Sequence, residues 1–237
     1  MKISIVKPSM KIISCTEDIL KTMEVAGRVC YKSEDKITEG SADKIIKALT
    51  KAGHHSVLEH GSVTVRIIGS RAMSHELVRH RIAAYSQESQ RYCDYGKLGF
   101  QAIIPPTIGD LDEGTYAFVY DLSSGNGTWY CHDGESVPFE VSASDDVFDW
   151  LNDLRYCYER YLHYRDKGKP AEDARYILPN ACKTEIVATY NMRTWIHLFD
   201  HRGNNKHAQW EIRELFFNME KEFIERWPCI FDIKCER

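Results

Sequence analysis

The sequence predicts a mixed, helix-rich α+β fold, and three observations carry that expectation. Short stretches alternate apolar and polar residues with the period of two that half-buried strands require. Longer stretches space their apolar residues three and four apart, as a helix face does. Glycine and serine cluster in one region, residues 107–145, while the rest of the 237-residue chain stays regular.

Taken in order, Ile3 and Ile5 alternate with polar neighbours before Pro8, so residues 1–7 read as a strand. Thr16, Glu17 and Asp18 read as a helix start, with Ile19, Leu20, Met23 and Val29 on its apolar face. Ser41 is placed to cap a second helix carrying Ile45, Ile46 and Leu49, which Gly53 ends. Val63, Val65 and Ile67 alternate with Thr64 and Arg66 as a strand, followed by a helix through Met73, Leu77 and Val78. Residues 107–145 read as an inserted excursion with a hairpin or two, not a separate domain. From Asp145 a helix steps through Val147, Leu151, Leu154, Tyr158 and Leu162. Pro170 suits the first turn of a short helix. Two more helices are expected over 183–200 and 207–226, the latter with Ile212, Phe216, Met219 and Phe223 on one stripe and Trp227-Pro228 closing it.

Composition narrows the function. With 43% hydrophobic and 28% charged residues the chain is ordinary for a globular protein, and no apolar run approaches the roughly 18 to 20 residues of a membrane span. The N-terminal residues lack the pattern of a secretory signal, and the expected setting is cytoplasmic. Lys and Arg number 31 against 35 Asp and Glu, a net charge of −4, which argues against nonspecific binding to duplex nucleic acid. The eight cysteines form no C-x-x-C pair, and reduced thiols are expected.

The chemistry concentrates in Arg79-His80-Arg81-Ile82-Ala83-Ala84-Tyr85-Ser86-Gln87-Glu88-Ser89-Gln90-Arg91-Tyr92, with three arginines, one histidine and two serines in fourteen residues. Guanidinium forks and serine hydroxyls suit phosphate oxygens. Arg79 and Arg81 diverge on a helix, so both serve one site only from a helix end or loop. A solvated basic face is the plain alternative for R-H-R by itself.

The spacing R-H-R-x7-S resembles the signature of the flavin-dependent thymidylate synthases. The likeness extends to His54-His55-Ser56-Val57-Leu58-Glu59-His60 upstream and to Ala174-Arg175-Tyr176-Ile177-Leu178-Pro179 downstream. Asn191-Met192-Arg193, then Arg202 and His207-Ala208-Gln209-Trp210-Glu211-Ile212, continue it in the same order. The resemblance implies reductive methylation of dUMP to dTMP, with 5,10-methylenetetrahydrofolate as carbon donor, FAD as hydride relay and NADPH as reductant. It also implies a single domain with a central, mostly antiparallel sheet, assembled as a homotetramer with shared active sites. Carried over by position, Ser56, Arg79, His80, Arg81, Gln87, Asn191, Arg193 and His197 contact FAD. Glu76, Arg79, Gln87, Glu88, Ser89, Gln90, Arg91, Arg175 and Arg202 surround dUMP, and Arg202 is the catalytic cation at uracil N3 and O4. Three features depart from the family: Gln87 stands for an acid, His197 for an Asn, and Gly203–Lys206 is slightly longer.

Other readings stand beside these. Ser89 is read as a phosphate-binding hydroxyl in preference to a nucleophile, since no base is fixed beside it in sequence. His54, His55, His60 and His80 lack an H-E-x-x-H arrangement, and no metal is expected. Glu59-His60 orients the strand that follows, Arg175 is also a candidate helix-end cation, and Trp210 and Phe216 are expected in the core. A single-stranded nucleic-acid module and a zinc hydrolase remain as alternative classes; a flavin absorption band separates both from the synthase.

Overall fold

The computed structural model describes residues 1–123, 125–132 and 139–232, with the backbone alone at Phe139. Cys235 and positions 124 and 133–138 of the expected excursion lie outside the described residues. In chain order the elements are β1 (Lys2–Ile5), β2 (Ser9–Cys15), α1 (Ile19–Val29), α2 (Ser41–Lys51), β3 (Ser62–Ser70), α3 (Arg71–Leu77), β4 (Ala83–Gln87) and the short turn α4 (Tyr95–Leu98). There follow β5 (Phe100–Ala102), β6 (Gly114–Asp121), β7 (Asn126–His132), β8 (Phe139–Glu140), α5 (Asp145–Asp166) and the short α6 (Ala171–Ala174). The chain ends with β9 (Lys183–Asn191), α7 (Met192–Leu198), a π-helical turn at Phe199–Gly203, α8 (Trp210–Arg226) and the short α9 (Pro228–Phe231).

Among the described residues these strands make two sheets where one central sheet was expected: β5-β1-β6-β7-β8 and β2-β3-β9-β4. In the first, β1 runs parallel to β5 and antiparallel to β6, and the β6–β7 and β7–β8 pairs are antiparallel. The chain divides into two compact units. The first holds Met1–Pro8, Ile68–Ser74 and the described part of Gln87–Glu185; the second holds Ser9–Ile67, His75–Ser86 and the described part of Ile186–Arg237.

The first unit is built by α5 on the five-stranded sheet. Val147, Leu151, Leu154, Tyr158 and Tyr161 share its core with Ile3, Ile5, Phe100, Tyr116 and Trp129. Each such apolar side chain contributes about 1.5–3 kcal/mol by leaving water. The hairpin expected in 107–145 is β6–β7, and because β6 also pairs with β1 it forms the middle of the sheet. Asp94 ties the α4 turn to α5: its carboxylate accepts from Arg165 Nη2 at 2.8 Å, Tyr161 Oη at 3.1 Å and the Gly96 amide at 3.0 Å. The Arg165 hydrogen bond, with help from Gly96 and Tyr161, holds Asp94 well below the usual carboxylate range, at about 2, although its partial burial works the other way.

The second unit centres on Trp195, which is fully buried and packs its ring against Tyr190, Phe199, Phe216 and Phe223 at centroid distances of 4.6–5.9 Å. Ile212, Phe216, Met219 and Phe223 lie on the buried face of α8, as their spacing predicts.

Several boundaries differ from expectation. The helix expected over 183–200 is a strand to Asn191 and a helix only afterwards: Thr184, Ile186, Ala188 and Tyr190 are buried in alternation, and the two-residue period decides. Ser41 is the first helical residue of α2, while Gly40 caps it with φ +73°. Pro170 caps α6 from outside its first turn, and α1 begins at Ile19 behind a left-handed Asp18, with Val29 exposed at its far end. β2 and β4 are additions to the elements expected from sequence.

Candidate active site

The second unit gathers Glu76, His80, His197 and Arg202. Arg202 lies in the π-helical turn, where the extra residue per turn is closed by the Asn204 amide donating to the Phe199 carbonyl at 2.8 Å. Gly203 lets that turn sit against α8, since a Cβ there would stand 3.1 Å from the Phe217 backbone nitrogen. From this support the Arg202 Nε–H donates to His80 Nε2 at 2.7 Å, and Nη1 donates to Glu76 Oε2. The Arg202 side chain is 19% exposed, so these bonds are partly shielded from water. A guanidinium has five N–H donors. Two are used here, and among the described residues Nη2 has no partner.

His80 lies on the loop between α3 and β4, and its carbonyl accepts from Tyr85 Oη at 2.9 Å. Its ring meets His197 edge-on at 5.4 Å, and His197 lies against His201 in a tilted arrangement with centroids 4.0 Å apart. Burial, followed by the charges of Arg202, His197, His201 and Arg79, pushes the His80 pKa down to about 4. His197 is also lowered, by burial first and then by His201 and Arg202, with Asp200 acting against them. Arg79 and Arg81 flank His80 and are exposed; neither makes an ion pair among the described residues. Between them and β4, Ile82 is exposed at φ +62°, a strained setting for a β-branched residue.

Other expected residues stand apart from that cluster. Ser56 is exposed in a short 3-10 helix, His55–His60. Arg193 Nη1 pairs with Glu59 Oε1 at 2.5 Å, both side chains well exposed. Glu59 therefore serves a side-chain pair in addition to leading into β3. Asn191 caps α7, its Oδ1 accepting from the Thr194 amide at 2.9 Å. His55 Nε2 lies 3.2 Å from the Thr50 carbonyl, and among the described residues no group of three or more metal-binding side chains converges.

The remaining expected residues belong to the first unit. Gln87 donates to Thr184 Oγ1 at 3.1 Å. Glu88 accepts from Lys183 Nζ at 3.0 Å and from Tyr95 Oη at 2.9 Å, and Lys183 also reaches Glu185 at 2.6 Å. Burial alone lowers the Lys183 pKa; the two carboxylates outweigh it and raise the value. Ser89 Oγ accepts from the Arg91 amide at 3.3 Å, the mark of a turn that presents the residues after it. Gln90 donates to Cys182 Sγ at 3.5 Å, and burial pushes that thiol up to about 11, far from a thiolate nucleophile at neutral pH. Arg91 and Arg175 converge on one residue: Arg91 Nε donates to Glu172 Oε2 at 2.9 Å and Arg175 Nε to the Glu172 carbonyl at 3.1 Å. The Arg91–Glu172 pair is about half exposed and worth little, so separating it costs little.

Sequence reading missed Lys183, Glu172, Tyr95 and His201. Lys183 and Glu185 share a strand face, a signal hidden when 183–200 is read as helix.

Fold and side chains together define an α+β protein with two arginine-bearing clusters, each suited to an anionic ligand. The family described as thymidylate synthase complementing protein matches residues 11–229. The flavin-dependent thymidylate synthase of Geobacter sulfurreducens is 35% identical over 227 residues, covering 93% of this chain and 84% of that protein. That of Clostridium tetani is 35% identical over 229 residues, covering 94% and 84%. Among solved structures, the UMP/dUMP methylase PolB from Streptomyces cacaoi, bound with 5-Br dUMP, aligns with a TM-score of 0.69 at 21% identity, covering 96% and 95% of the two chains, and shares the fold. The chain belongs to the flavin-dependent thymidylate synthase family.

Proposed function

We propose that this protein converts dUMP to dTMP, taking carbon from 5,10-methylenetetrahydrofolate and electrons from NADPH. The observation that carries the reading is the family match over residues 11–229, joined to an Arg202 guanidinium anchored on two sides with Nη2 left for a ligand. FAD, when bound, supplies the hydride chemistry. The donor set fits its diphosphate: Arg79 and Arg81 are exposed and unpaired among the described residues, and Arg193 has only a surface partner. We assign Ser56, Arg79, His80, Arg81, Gln87, Asn191, Arg193 and His197 to FAD as the family implies.

For the nucleotide, Ser89, Gln90, Arg91 and Arg175 take the phosphate end. Arg91 and Arg175 neutralise its charge as Glu172 gives way, and Ser89 adds a short hydroxyl donor. Glu88, fixed by Lys183 and Tyr95, is a rigid acceptor beside them. Arg202 acts on the pyrimidine: an N–H donor of Nη2 stabilises the negative charge that gathers at N3 and O4 as C5 becomes nucleophilic. In the proposed homotetramer each active site draws on more than one chain.

Purified protein reconstituted with FAD is expected to form dTMP only when dUMP, methylenetetrahydrofolate and NADPH are all present, and a colourless protein with no product refutes the reading. Light scattering is expected to give a tetramer; a fully active monomer refutes the shared sites.

A further inference from the structure

Arg202 and His80 are 122 residues apart in sequence and meet at 2.7 Å through Nε and Nε2. A guanidinium N–H can only donate, so His80 Nε2 accepts and the ring proton of a neutral His80 resides on Nδ1. Glu76 takes a different edge of the same guanidinium, and two anchors on two edges fix its plane. We propose that His80 is a positioning residue for Arg202, aiming Nη2 at the pyrimidine, and that it works as the neutral Nδ1–H tautomer. This rests on the synthase reading above and gives His80, beside its assigned flavin contact, a second role in support of the catalytic cation.

The surroundings hold that tautomer. Arg202 and His201 face His80 from the π-helical turn, His197 from α7, Arg79 from its own loop, and Glu76 from α3 through Arg202. The nearest groups are cationic or can become so, which opposes a second ring proton; with burial they keep His80 neutral down to about pH 4. His201 Nδ1 lies 3.0 Å from the His197 carbonyl, which can only accept, so His201 too carries its proton on Nδ1. Protonating His80 removes the acceptor and sets a second cation against the guanidinium, so the aim of Arg202 fails in strong acid and holds across the neutral range.

The test has two independent arms. Nitrogen-15 NMR of histidine-labelled protein is expected to show His80 Nε2 unprotonated from pH 6 to 8, with a midpoint well below that of a free histidine. A protonated Nε2 in that range overturns the proposal whether or not the protein is a synthase. In the second arm, H80L reloaded with FAD is expected to lose about 10- to 100-fold in kcat/KM for dUMP, the cost of losing one charge-assisted bond. H80Q, whose side-chain oxygen reaches the position of Nε2, recovers most of that loss. Adding H80L to R202A costs little beyond R202A alone, because both remove one coupled unit. FAD loss in H80L with unchanged kinetics in the reloaded enzyme, or additive losses in the double variant, overturns the positioning role. A well-folded wild type that forms no dTMP refutes the synthase reading instead, and the NMR arm still decides the His80–Arg202 bond.

Discussion

Replacing Arg202 with Ala separates catalysis from folding. The substitution deletes two hydrogen bonds, to His80 Nε2 at 2.7 Å and to Glu76, from a side chain that is 19% exposed. Charge-assisted bonds are worth about 1.5–3 kcal/mol when buried, and exposed pairs about 0–1 kcal/mol. Glu76 is 37% exposed and rehydrates, so the combined loss is about 1–2 kcal/mol. In a chain of this size each kcal/mol lowers Tm by roughly 2–4 °C, which makes the expected drop about 2–8 °C. The rate falls much further, by about 100- to 1,000-fold, as for loss of one preorganised donor. The charge of Arg202 is second only to burial in depressing His80, so the His80 midpoint rises from about 4. Melting, FAD content, dTMP yield and the NMR titration of His80 are measured on one preparation. Near-normal turnover refutes the catalytic role, and an unmoved His80 midpoint refutes the contact. Arg202→Lys stays close to Ala, because a point charge without the planar fork does not serve His80, Glu76 and the pyrimidine together.

Asp94→Asn tests the α4–α5 latch. Because the folded pKa of Asp94 is depressed to about 2, its stabilisation is complete above about pH 4 and is lost as pH falls through about 2. The variant therefore melts lower than wild type at pH 7, by about 1–2 kcal/mol after allowance for screening, and the difference shrinks on acidification; a constant difference refutes the linkage. His197→Asn is expected to hold FAD equally well or better, since the amide offers two donors where neutral imidazole offers one; clear FAD loss by absorbance shows a separate role for the ring. Ile82→Gly relieves a left-handed β-branched residue at an exposed site and is expected to raise Tm by about 2–4 °C, worth about 1 kcal/mol; a lower Tm shows that the side chain packs on something that repays the strain.

Local periodicity made much of the fold legible. The α5 stripe Val147, Leu151, Leu154 and Tyr158 and the alternation of Val63, Val65 and Ile67 each report burial on one face of their own element, and those faces are buried. The R-H-R-x7-S spacing and the ordered blocks on either side of it identified the family, because ligand chemistry restricts residue types along the chain itself. Where two periods overlap, sequence misleads: Tyr190, Met192 and Trp195 extend an apolar pattern across the junction of β9 and α7, which predicts helix where the chain forms a strand. That error concealed Lys183, whose role depends on Glu88, 95 residues away. The hydrogen bonds of Arg202 to His80 and Glu76 span 122 and 126 residues and have no local signature. The sequence by itself determined the family and most elements. Tertiary structure alone decided which groups meet, because a contact between distant positions exists only once the π-helical turn packs on α8 and brings its guanidinium to the loop after α3.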